Sequence, residues 1–220
     1  MTFQFQVLTP SGQRDFSVST GSTLIFVGAN GGGKTRLAVH IEQSNLKNIH
    51  RISAHRALVL NPAVPKISET LAINGLKFGY ATKGITELHK SSGRWGDNKW
   101  ATHLLNDFDF VVQALFAEQN NTALATHYAA TAGSTEKPSV TKFQKLIAIW
   151  ERLLPHRTLF VTGDDISVKI GEEGVLYSAS DMSDGERAIF YLIGQTLLAD
   201  DSALLIVDEP ELHVHPIIWT

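Results

Sequence analysis

The chain reads as an α/β protein: a mixed or parallel sheet core with antiparallel strands at its N-terminus and an inserted, mostly helical lobe. Three observations point there. Leu24-Ile25-Phe26-Val27 is a short, wholly apolar run, as expected of a strand buried on both faces, and it opens onto a glycine-rich loop and then a helix. A second such run, Leu204-Leu205-Ile206-Val207, closes on two carboxylates. Between them, strands and amphipathic helices alternate, which is the pattern of strand–helix units sharing one sheet.

The elements follow in order. Residues 3–8 alternate apolar and polar side chains, as a half-buried strand does; Pro10-Ser11-Gly12 is a turn, and residues 15–19 are the return strand. A helix is expected from Lys34 to about Leu46 and a strand over 49–53. From about residue 57 to 155 the character changes. Gly75, Gly79, Gly84, Gly93 and Gly96 break up residues 61–101 into loops and irregular pieces. Leu104, Phe108, Val111, Val112 and Leu115 then recur at helical spacing. After the polar loop 133–138, a second helix carries Phe143, Leu146, Ile147, Trp150, Leu153 and Leu154 on one face and stops at Pro155. Strands are expected at 158–162, 166–170 and 175–178, a helix at 183–199 and a strand at 203–207. The expected division is a core of residues 1–56 and 156–220 around an inserted lobe of residues 57–155.

Composition narrows the function. With 220 residues, 43% of them hydrophobic, the chain is long enough to bury a core. A formal net charge of −3 offers no global basic surface for nucleic acid, although a local patch remains open. There is no cysteine, so disulfide and thiolate chemistry are excluded. The N-terminus lacks the basic and apolar regions of a secretory signal, and no stretch approaches the roughly 20 apolar residues of a membrane span. A soluble, cytoplasmic protein without a membrane partner is expected.

Gly28-Ala29-Asn30-Gly31-Gly32-Gly33-Lys34-Thr35 fits the pattern G-x-x-x-x-G-K-[ST]. Glycines let the backbone curl so that successive N–H groups face a phosphate chain, and the helix start adds the positive end of its dipole. Lys34 is placed to neutralise the β- and γ-phosphates of ATP, and Thr35 to ligate Mg²⁺ through its hydroxyl. Arg36 either reaches the nucleotide or is a solvated helix residue. At the far strand end Asp208 is the candidate Mg²⁺ partner and Glu209 the candidate base that orients water. Ser183-Asp184-Gly185-Glu186-Arg187 lies 25 residues before Asp208, with one helix between. As S-x-x-E it is a capping box; as function, its free N–H groups suit an anion, and Gly185 permits close approach.

The order of phosphate loop, Ser-x-Gly-Glu and Asp208-Glu209-Pro210-Glu211-Leu212-His213-Val214-His215-Pro216 resembles the ABC-type ATPases of the SMC, RecF and OLD group. The acidic segment is most similar to the ATPase components of bacterial anti-phage systems such as OLD, Septu, Gabija and PARIS. The resemblance covers residues 22–56 and 178–216, not the middle lobe. It implies ATP and Mg²⁺ as ligands and a head-to-head homodimer or higher oligomer. In that arrangement Ser183, Gly185 and Glu186 would serve the ATP of the other subunit, and residues 211–215 would lie near the seam. It also implies an effector nuclease or partner subunit.

Two departures stand out. Where the group carries a Gln loop, this chain has Ser53-Ala54-His55-Arg56, so His55 or Arg56 would touch the nucleotide or metal, or lie on the surface. The strand that would carry the group's switch histidine is not reached by Thr220, so a truncated core is expected. His213 and His215, two residues apart without a third ligand, suit a metal poorly. Phe16 is the weak candidate for stacking on adenine, and a core position suits it better.

The leading expectation is an ATPase that dimerises on ATP and switches an effector in anti-phage defence. The alternatives are a RecF/SMC-like DNA-repair ATPase, with DNA as a possible partner, or a non-hydrolysing nucleotide-binding scaffold.

Overall fold

The computed structural model describes residues 2–9, 11–135, 137–171 and 174–213. The chain starts as an antiparallel hairpin of β1 (Thr2–Thr9) and β2 (Gly12–Ser19) in a register that sets Phe5 opposite Phe16 and Phe3 opposite Val18. Phe5 and Val18 are buried and pack with Ile41 and Ile49, so the hairpin closes one face of the central unit.

That central unit is a parallel pair. After α1 (Lys34–Ser44), β3 (Ile49–Ile52) runs alongside β7 (Leu204–Val207), joining Ile49 to Leu204 and Ile52 to Val207. Asp208 N–H donates to Ile52 O at 3.0 Å and carries the ladder one residue further, which fixes where the acidic end emerges. Strands from opposite ends of the sequence therefore lie side by side, as the α/β reading requires.

The run Leu24–Val27 departs from its expected form. Among the described residues it joins no strand, and its residues are 41%, 76%, 38% and 92% exposed. β1–β2 and β3–β7 are two-stranded sheets whose outer edges keep free backbone groups, and the run takes up none of those of the described strands. Phe26 alone makes aromatic contact, with Phe5 at 6.4 Å and Phe16 at 5.8 Å between ring centroids.

The middle of the chain carries three α-helices. α2 (Glu69–Phe78) is capped by Ser68 and ends at Gly79, whose φ is 84°. Residues 84–103 are a compact series of turns. α3 (Phe108–Thr131) follows, and Leu104, read as part of its apolar face, lies before it and is exposed. α4 (Lys142–Leu153) opens on a capping box in which Thr141 and Gln144 satisfy each other's N–H groups. Phe143, Leu146 and Trp150 are buried, whereas Leu153, the last residue of the helix, is 39% exposed.

β4 (Arg157–Val161), β5 (Ile166–Ile170) and β6 (Leu176–Ser178) form a separate antiparallel sheet. α5 (Asp184–Leu198) leads back to β7. One continuous core joins α2, α3, α4, this sheet and α5, centred on Phe108, Val111, Leu146, Trp150, Phe190 and Tyr191. Gly194 lets α5 lie against α3, since a Cβ there would sit 2.5 Å from Val111. Among the described residues no helix is long and apolar enough to cross a membrane.

Candidate functional site

The loop before α1 owes its shape to its glycines. Gly31 and Gly33 adopt φ of 79° and 87°, a region costly for side chains, and a Cβ on Gly32 would lie 2.9 Å from the Ala29 carbonyl oxygen. Gly32 N–H donates to that same oxygen at 3.0 Å, which closes the turn. α1 starts at Lys34 with no side-chain cap, so its first N–H groups are open to an anion. Lys34 Nζ turns back into the loop, donating to the carbonyls of Gly28 at 3.0 Å and Ala29 at 3.4 Å. Thr35 is half-buried and Arg36 exposed.

The acidic end of β7 meets this loop. Glu209 Oε1 lies 3.9 Å from Lys34 Nζ, with both side chains partly open to solvent. Asp208 is buried, and its Oδ2 has no hydrogen-bond partner. An unpartnered buried carboxylate oxygen beside a phosphate-type loop is a vacancy in the hydrogen-bond count that a cation fills well. Glu209 sits at φ 47°, a left-handed conformation uncommon for a residue with a side chain.

The signature stretch forms its own cluster. Ser183 caps α5: Glu186 N–H donates to Ser183 Oγ at 3.3 Å, while Ser183 N–H and Oγ each donate to Glu186 Oε2 at 2.8 Å. The other oxygen of Glu186 accepts from Tyr177 Oη at 2.7 Å and Arg157 Nε at 2.8 Å. Burial works against the Glu186 charge, but the hydrogen bonds from Tyr177, Ser183 and Arg157 outweigh it and hold the carboxyl below the ordinary range. Tyr177 is pushed up to about 12, by burial first and then by its bond to Glu186.

Sequence reasoning named Ser183 and Glu186 but missed Arg157 and Tyr177, which lie 29 and 9 residues from Glu186 and carry no motif. No hydrogen bond or ion pair among the described residues joins residues 183–187 to the loop 28–36. A Cβ on Gly185 would instead lie 3.2 Å from the His213 carbonyl oxygen, so the signature borders the acidic turn.

Arg56 is neither on the surface nor directed at a carboxylate: it is buried and its guanidinium faces backbone carbonyls of residues 53 and 208–212. Phe16 stacks on Phe5 at 5.8 Å within the hairpin. Among the described residues no three His, Asp or Glu side chains cluster as metal ligands, and His215 lies outside those residues.

Behind the site lies a buried polar network that no motif announced. Glu42 of α1, fully buried, pairs with Arg51 of β3 at 2.8 Å and Lys90 at 3.4 Å and accepts from Trp95 Nε1 at 3.3 Å. Arg51 lies 4.0 Å from the centre of the Trp95 ring. Arg94 pairs with Asp107 at 2.8 Å and donates to the backbone carbonyls of Arg51 and Leu76. Asp107 accepts from Tyr191 at 2.6 Å and Gln195 at 3.1 Å, both on α5, and Gln195 Oε1 lies 2.7 Å from His50 Nε2. The one available signal was the pair His50-Arg51 inside an otherwise apolar strand.

Residues 136–218 match the family described as "AAA domain, putative AbiEii toxin, Type IV TA system". That stretch holds α4, the three-stranded sheet, α5, β7 and the acidic turn, but not the loop 28–35. No curated protein and no solved structure matches the chain. The likeness supports a nucleotide-binding ATPase domain with a P-loop α/β fold.

Proposed function

We propose that the chain binds and hydrolyses ATP, pairs head to head with a second copy when ATP is bound, and uses that pairing to switch an effector, a nuclease or partner subunit, in anti-phage defence. The observation that carries the ATPase reading is the approach of Glu209 to Lys34, two motifs 175 residues apart in sequence whose charged ends lie 3.9 Å apart. The family match, whose description names a toxin of a toxin–antitoxin system, supports coupling to an effector. The capping box at Ser183 supports the pairing, because a helix start that satisfies its own first turn still offers N–H groups outward to the partner's nucleotide.

The residues fit ATP and Mg²⁺. Backbone N–H groups of Gly28, Ala29, Asn30, Gly31 and Gly33 would cradle the phosphates, with Gly32 keeping the turn closed on the Ala29 carbonyl and Lys34 exchanging the Gly28 and Ala29 carbonyls for phosphate oxygens; Arg36, exposed two residues on, would reach the nucleotide. Thr35 and the unpartnered Asp208 Oδ2 would hold Mg²⁺. When bound, the metal neutralises charge that builds on the phosphate oxygens. Glu209 orients a water and takes its proton as the oxygen attacks the γ-phosphorus and the bond to ADP breaks. The core of residues 1–56 and 156–220 would supply this site.

The test is Mg-ATP binding by calorimetry together with dimer mass by light scattering. Lys34→Ala should weaken binding by at least about 30-fold, and Glu209→Gln should bind ATP and accumulate as dimer. Binding unaffected by Lys34→Ala rules the site out; Glu209→Gln staying monomeric with ATP bound rules out the pairing.

A further inference from the structure

Resting on the ATPase reading above, we propose that Arg56 is the positioning residue for the hydrolytic carboxylate: its buried guanidinium grips the backbone of the 208–212 turn and so holds Glu209 toward the phosphate loop. Arg56 is 5% exposed, and among the described residues it forms no ion pair. Nη1 donates to Ser53 O at 2.8 Å and to Asp208 O at 3.5 Å; Nη2 donates to Glu209 O and Leu212 O, each at 3.4 Å. One side chain thus bridges the end of β3 to both ends of the acidic turn.

The turn needs such a hold. Glu209 and His213 both have positive φ, at 47° and 69°, a conformation that a non-glycine residue keeps only where its surroundings enforce it. Within the turn, Leu212 N–H donates to Glu209 O at 3.2 Å, the same oxygen that Arg56 caps. Three acidic side chains, Asp208, Glu209 and Glu211, crowd this short stretch. Burial lowers the Arg56 pKa, and Tyr191 and then the charges of Asp208, Glu211 and Glu209 oppose that loss.

Arg56 is itself anchored. It bridges to Leu105, with Ala57 N–H donating to Leu105 O at 2.7 Å and Leu105 N–H to His55 O at 3.0 Å. Leu105, near the middle of residues 57–155, thereby fixes the backbone from which the guanidinium reaches the turn. Its role is exerted through Glu209 rather than through contact with nucleotide. A fork spanning several carbonyls is also something lysine cannot reproduce.

The experiment uses the full chain, wild type and Arg56→Ala and Arg56→Lys, in two measurements. The first is amide hydrogen exchange without nucleotide. Leu212 in the wild type should exchange at least about tenfold slower than unstructured chain. Arg56→Ala should lose that protection while peptides over Lys34–Ser44 stay unchanged. The second is Mg-ATP hydrolysis per titrated nucleotide site. Arg56→Ala should lower kcat at least about tenfold with KM within about threefold, and Arg56→Lys should recover only a minor part.

Unchanged exchange in Arg56→Ala overturns the proposal, as does a change confined to KM. So does a wild-type Leu212 amide exchanging like unstructured chain, a readout that stands even where the variants do not fold. If the wild type neither binds nor hydrolyses Mg-ATP, the ATPase reading falls by itself, and the exchange data alone decide whether Arg56 holds the turn.

Discussion

The two ends of α1 are held in opposite ways. At its N-terminus the phosphate-type loop and the run Leu24–Val27 are largely open to solvent and have no sheet partner among the described residues. At its C-terminal half Glu42 is fully buried and tied through Arg51, Lys90, Trp95, Arg94 and Asp107 to Tyr191 and Gln195 of α5. The first end leaves N–H groups unsatisfied; the second is buried and cross-linked by ion pairs and hydrogen bonds, with Arg51 Nη1 and Arg94 Nε its buried nitrogens without a partner among the described residues. A helix anchored at one end can present an open loop at the other without losing its place against β1 and β3.

The contrast breaks most severely at the buried end. Glu42→Ala leaves Arg51 and Lys90 buried without a carboxylate and should cost about 3–5 kcal/mol, read by urea or thermal unfolding. A loss below about 1 kcal/mol would mean the network is hydrated and not a clamp.

Acid should attack the same network next. Burial, and then the charge of Arg94, hold the His50 pKa well below its ordinary 6.5, so the folded state keeps the imidazole neutral while the unfolded chain protonates. The unfolded state then binds more protons, and the stability His50 contributes is complete above pH 6.5 and lost progressively as pH falls below it. Unfolding free energy measured between pH 8 and 5 should decline, with a shallower decline in His50→Asn; equal slopes would remove His50 from the account. Glu186 acts lower still. Its depressed pKa contributes stability above its ordinary 4.5, which is lost as pH falls through the folded value.

Smaller effects sharpen the other side. Ser183→Ala removes the cap of α5 and should cost about 1 kcal/mol in unfolding free energy. Val27→Asp should change stability by less than about 0.5 kcal/mol, since the side chain is 92% exposed. A large loss there would show that the run is covered when the protein is folded in solution.

Much of the fold was legible because local rules suffice for it. The hairpin follows from alternation and its turn, α4 from its apolar face and Thr141 cap, and α5 from S-x-x-E and the spacing of Ile189 and Ile193. Residues 61–101 were not legible, because their glycines serve close contacts. A Cβ on Gly93 would meet the Phe78 carbonyl oxygen, and one on Gly96 the His103 ring. Leu24–Val27 misled for a related reason: apolarity reports a tendency to be covered, not the presence of a partner. The loop and the acidic pair were legible because phosphate and metal chemistry demand few residue types at fixed spacing. Arg157, Tyr177 and Asp107 were not, because hydrogen-bond partners drawn from distant elements leave no spacing to read.

By itself, then, the sequence determined the chemical parts: a glycine loop ending in Lys34 and Thr35, an apolar strand ending in Asp208 and Glu209, and a self-capped helix at Ser183. These are local patterns, set by backbone sterics and by which side chains can hold phosphate or give up a proton. Only the tertiary structure decided that Glu209 faces Lys34 and that Gly185 borders His213. It alone buried Arg56 under the acidic turn and ran a buried ionic network from α1 to α5. Those arrangements depend on parallel pairing of β3 with β7 across some 150 residues, and a long-range pairing is settled by packing and desolvation over the whole core.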